Sequence, residues 1–62
     1  MVVSIIDNKT GKTLIRYQNI LAINSVETPE NSAIIKFTLW VNNYHDRLYV
    51  TLDPKKEWIS IA

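Results

Sequence analysis

Sixty-two residues give room for one hydrophobic core, and so for one domain spanning residues 1–62. The absence of cysteine excludes a disulfide staple and a thiolate metal site. A net charge of +1 is a weak excess for a chain that rides on phosphates, and no apolar run approaches a membrane span in length.

The first apolar run, Val2 to Asp7, is rich in β-branched residues and reads as a strand buried on both faces or lying at a tight core. Its start, MVVSIID, lacks the basic head and long apolar body of a secretory leader, so a cytoplasmic location is expected. In that setting the sequon Asn8-Lys9-Thr10 is a coincidence of a turn. The only glycine, Gly11, stands where a type I turn followed by a left-handed residue needs it. The Asp7 carboxylate is placed to accept bonds from backbone amides two or three residues on. One glycine does not make a phosphate-cradling loop.

Thr13 to Tyr17 reads as the return strand, and Gln18-Asn19 interrupts the pattern as a bulge or corner. From Ile20 to Glu27, Leu21, Ile23 and Ser25 alternate with Ile20, Ala22, Asn24 and Val26, the less uniform face. Strand is the preferred reading here, with a single helical turn near Ile20 to Ile23 as the alternative. Glu27-Thr28-Pro29-Glu30-Asn31 reads as a loop, because proline fixes its own φ and restricts Thr28.

Ser32 to Leu52 carries the longest alternation in the chain and predicts a hairpin that sets the sheet. Ala33, Ile35, Phe37, Leu39 and Val41 share one face of its first arm, and Leu48, Val50 and Leu52 share one face of its second. A two-residue turn at Asn42-Asn43 would pair Val41 with Tyr44. A four-residue loop through His45 would instead pair Leu39 with Leu48, Phe37 with Val50 and Ile35 with Leu52. The longer loop is preferred because it avoids setting Leu39 against Asp46. It also sets Trp40 opposite Arg47 and Thr38 opposite Tyr49. Beyond the hairpin, Asp53 and Pro54 open a short helical turn to Glu57, and Trp58-Ile59-Ser60-Ile61 alternates as a last strand.

Hairpin spacing throughout predicts an all-β or nearly all-β domain. The expected form is a small antiparallel meander of about five to six strands, closed as a compact barrel or packed as a two-layer sheet. A half barrel capped by a helix is the alternative if the last eight residues are helical.

The residues point away from catalysis. A single histidine, His45, is followed by Asp46; adjacent side chains diverge, and the pair supplies at most two metal ligands where zinc needs three or four. The acidic residues fall mainly at turns, so no acid–base pair is set up and no metal or cofactor is expected. The second face of the hairpin is more telling. It interleaves Lys36, Trp40, Arg47 and Tyr49, with Tyr44 at the tip. Trp, Tyr and Arg are the types enriched at energetic centres of protein interfaces, and a core this small leaves apolar surface to share. The expectation is a non-catalytic protein-interaction or self-assembling module, a homo-oligomer, with Lys36, Trp40, Tyr44, Arg47 and Tyr49 meeting the partner. Rings flanked by cations also suit single-stranded nucleic acid, which is the alternative. A structural competitor is that the rings complete a second small core under the C-terminal segment, against Trp58. The wealth of Ile, Asn and Lys suggests an AT-rich coding genome, as in low-GC bacteria and their phages.

Overall fold

The computed structural model describes residues 1–26 and 34–62. It contains six strands: β1 (Val3–Asp7), β2 (Thr13–Tyr17), β3 (Ala22–Val26), β4 (Ile35–Val41), β5 (Asp46–Leu52) and β6 (Glu57–Ile61). They form two three-stranded antiparallel sheets, ordered β2-β1-β6 and β3-β4-β5. The fold is therefore nearly all β, as the alternation predicts. The expected loop at Glu27 to Asn31, and the hairpin's first residues Ser32 and Ala33, lie outside the described residues.

The turns follow local chemistry. At the β1–β2 turn, Asp7 Oδ1 accepts from the Lys9 amide at 2.7 Å and the Thr10 amide at 3.2 Å, and Gly11 adopts φ 72°. A side chain at Gly11 would meet nothing within 4 Å, so the obstacle to substitution is the backbone alone. Gly11→Ala is expected to lower stability by about 1–2 kcal/mol, read from the urea midpoint, with Gly11→Asn losing less. At the β5–β6 turn, Asp53 Oδ1 accepts from the Lys55 amide while Glu57 Oε1 accepts from the Asp53 amide, each at 3.0 Å. This reciprocal pair makes the predicted turn after Pro54 and delivers Glu57–Ile61 as a strand paired along β1. A strand here removes the helix-capped half barrel.

Two links carry the chain between the sheets. Residues 18–21 lead from β2 to β3, and residues 53–56 lead from β5 to β6. The first leaves the sheet at the end marked by Tyr17, Val3 and Ile61; the second enters it at the end marked by Asp7 and Glu57. β2 and β6 are opposite edges of one sheet, and β3 and β5 opposite edges of the other. The layers are thus joined at diagonally opposite corners. No ladder runs between β2 and β3 or between β5 and β6 among the described residues. The six strands make a two-layer arrangement, not a closed barrel.

The predicted strand from Ile20 begins two residues later, at Ala22. Ile20 is apolar because it plugs the corner: it is 2% exposed, its amide donates to the Met1 carbonyl at 3.0 Å, and its carbonyl accepts from the Met1 amino group at 2.7 Å. β1 also differs from a strand buried on both faces. Val3 and Ile5 are buried, while Ser4 and Ile6 on the other face are half-buried.

Val3, Ile5, Ile20, Leu39, Val50 and Leu52 form the core, so both sheets and one corner contribute. Tyr17, Ile23, Ile35, Phe37, Val41 and Ile59 pack around it in part. Away from the covalent corners the core face is poorly covered. Ile15 on β2, Leu48 on β5 and Ile61 on β6 are all exposed although they point the same way as buried neighbours.

Candidate interaction face

The β4–β5 register fixes the site. Trp40 pairs with Arg47 and Thr38 with Tyr49, the arrangement that the longer loop predicts, and Leu39 pairs with Leu48, Phe37 with Val50 and Ile35 with Leu52. Strand alternation then puts Lys36, Thr38, Trp40, Arg47 and Tyr49 on the face turned away from the core. The intervening residues Asn42 to His45 form a tight turn, with His45 N donating to Asn42 O at 3.0 Å. Asn42, Asn43 and Tyr44 all take left-handed backbone conformations, with φ 49°, 56° and 67°. Asparagine tolerates that region; a tyrosine there is strained. The Asn42 carboxamide braces the turn by donating to Asp46 Oδ2 at 2.7 Å.

This turn brings the Tyr44 ring to the Trp40 ring, centroids 6.5 Å apart and planes tilted by 43°. The Arg47 guanidinium carbon stands 5.7 Å from the Trp40 centroid and 5.9 Å from the Tyr49 centroid. One cation therefore bridges two aromatic rings, each contact within the range where a ring quadrupole attracts it. Trp40 is half-buried, whereas Tyr44 and Tyr49 are 59% and 61% exposed. Thr38, beside Tyr49 in the ladder, is only 7% exposed and makes the floor.

Trp40, Tyr44, Arg47 and Tyr49 thus come together as the hairpin pattern predicts. Lys36 shares their face but sits four positions along β4 from Trp40, about 13 Å away at strand rise, opposite Thr51. It is at most a rim residue. Asn24 was not among the expected site residues. It lies opposite Thr38 on β3, and with its amide turned to satisfy both neighbours it accepts from Trp40 Nε1 at 3.2 Å and donates to the Ile23 carbonyl at 3.0 Å. Its place on the less uniform face of the β3 pattern was the available signal. Trp58 does not complete a small core with these rings: it sits on the other sheet, opposite Ile6, and is itself 47% exposed.

Arg47 is exposed, and its guanidinium carbon lies within about 6 Å of both ring centroids. Such a group donates two parallel bonds to a carboxylate, flanked by exposed phenol rings. His45 is exposed, and the neighbouring Asp46 carboxylate is engaged by Asn42. No group of three metal-ligating side chains occurs among the described residues. No helix among the described residues is long and apolar enough to cross a membrane. Comparison with protein-family models, with curated proteins and with solved structures finds no match to this chain.

Proposed function

We propose that this chain is a small non-catalytic protein-interaction module that self-associates, acting in the cytoplasm of a bacterial or phage system through Trp40, Tyr44, Arg47 and Tyr49. The observation that carries the reading is the guanidinium of Arg47, held between the Trp40 ring and the exposed Tyr49 ring. An arginine already fixed in place loses less freedom when it binds, and rigid aromatic neighbours add contact area at small entropic loss. The exposed rings of Tyr44 and Tyr49 on this face support self-association, since a second copy would shelter aromatic surface that this chain alone leaves wet.

Light scattering across a wide concentration range tests this directly. The wild-type mass is expected to rise toward a dimer or larger closed ring. The Arg47→Ala/Tyr49→Ala variant is expected to stay monomeric at the same concentrations, with an unchanged far-ultraviolet circular dichroism spectrum. A wild-type protein that is monomeric throughout overturns self-association.

The cluster of rings with Arg47 and, at the rim, Lys36 also supports a second reading, binding of single-stranded nucleic acid by stacking. It predicts quenching of tryptophan fluorescence by an oligothymidylate, weakening steeply as salt rises. Titration to high micromolar oligonucleotide without quenching removes it.

A further inference from the structure

The chain has four non-glycine residues with left-handed backbone among those described: Asn19, Asn42, Asn43 and Tyr44. They come from two distant segments, the corner between β2 and β3 and the turn between β4 and β5. The fold brings both segments to one place. Between them lies an open depression of about 490 Å3, lined by Gln18, Asn19, Leu21, Val41, Asn42 and Asn43, with Tyr44 next in the chain. A bond from the Leu21 amide to the Trp40 carbonyl, 2.9 Å, ties the corner to β4 beside it.

We infer that this depression is a binding site for an uncharged, polyhydroxylated ligand, a saccharide. Its lining is four carboxamides and two aliphatic side chains, with no ionisable group. Each carboxamide offers a donor and an acceptor, the same pairing that a sugar hydroxyl presents. The side chains of Gln18, Asn19 and Asn43 have no hydrogen-bond partner among the described residues, and Asn42 uses only its amide nitrogen, on Asp46. Leu21, 41% exposed, and Val41 supply the apolar ground for the C–H face of a pyranose. The volume falls within the range of small-molecule sites.

Asparagine at 19, 42 and 43 follows from the backbone, since asparagine is the side chain that tolerates left-handed geometry. Backbone geometry does not explain Gln18, nor a strained tyrosine at 44 where glycine or asparagine would relax the turn. Strain held beside a cavity is characteristic of ligand clamps. A charged ligand is disfavoured because Lys36 and Arg47 lie outside the lining. An extended peptide is disfavoured as well: β4 is a central strand, so its backbone groups are already paired.

The depression borders the ring-and-arginine face at Tyr44, but none of its six lining residues belongs to that face, so it can fail while that reading stands. The test uses nuclear magnetic resonance of the 15N-labelled full chain, titrated separately with maltotriose, cellotriose and chitotriose to about 20 mM, a range that captures millimolar binding. At least one sugar is expected to give saturable shifts in the side-chain amides of Gln18, Asn42 and Asn43 and in the backbone of Leu21 and Tyr44. The Asn19→Gly/Asn43→Gly variant keeps the left-handed backbone and removes two carboxamides. It is expected to fold as the wild type, by its unchanged spectrum elsewhere, and to bind at least about tenfold more weakly. Three titrations without saturable shifts overturn the inference, as does a variant that binds as tightly as the wild type. If an acidic peptide or an oligothymidylate shifts this set and the sugars do not, the depression belongs to the interaction face and the saccharide reading falls.

Discussion

Leu39→Ala is expected to unfold most of the protein at 37 °C. Leu39 is 0% exposed, occupies the middle of β4, and belongs to a core of six buried residues drawn from both layers. Truncating a buried leucine removes its transfer free energy and leaves a cavity, together about 2.7–5 kcal/mol. Domains this small seldom hold more than about 3–5 kcal/mol in total, so one such cavity consumes nearly all of it. The neighbours cannot collapse into the space easily, because β4 is paired on both sides and fixed in register. Urea denaturation followed by tryptophan fluorescence should lose its native baseline in Leu39→Ala. Leu48→Ala, on the same face but at an exposed edge position, should shift the midpoint only slightly. Equal effects at the two positions would contradict the placement of the core.

That contrast also marks what could be read from the sequence. Leu39 and Leu48 carry the same side chain and the same alternating phase, so periodicity puts both on the core face and cannot rank them. The difference comes from the links between the layers, which close two corners and leave the other edges open. Alternation alone allows both hairpin registers, which differ by two residues; the observed one was legible because the shorter turn would set Leu39 against Asp46. The Asp7 and Asp53 turns were legible for a local reason: a carboxylate, nearby backbone amides and either Gly11 or Pro54 suffice to specify each. Ile20 misled the strand boundary because an apolar residue plugging a corner looks like the first residue of a strand. At the site, period two placed Trp40, Arg47 and Tyr49 together, but it could not tell that Lys36 stands a full two positions beyond Thr38 with no ring to meet. Nor could it show that Tyr44 turns left-handed to reach Trp40, since that conformation runs against the residue's own preference.

Trp40→Ala is expected to destabilise the fold by about 2–3 kcal/mol, and Tyr49→Ala by no more than about 0.5 kcal/mol, although both rings touch Arg47. Trp40 stands in the central strand, half-buried, with Tyr44 against its ring and Asn24 accepting from its indole nitrogen. Its removal exposes Thr38 and leaves the strained Tyr44 turn without the ring it packs on. Tyr49 sits on an edge strand, 61% exposed, and its removal gives up the contact with the guanidinium and the pairing across from Thr38. Thermal melts of the two single variants, set beside Arg47→Ala, separate these roles. The expected order is Trp40 well below the other two. This ordering decides how any binding defect is interpreted: loss of association in Trp40→Ala would mix folding with recognition, whereas loss in Tyr49→Ala at an unchanged melting temperature would report the interface itself. If Tyr49→Ala instead melts as low as Trp40→Ala, the ring is holding the sheet together and the exposed aromatic face is structural.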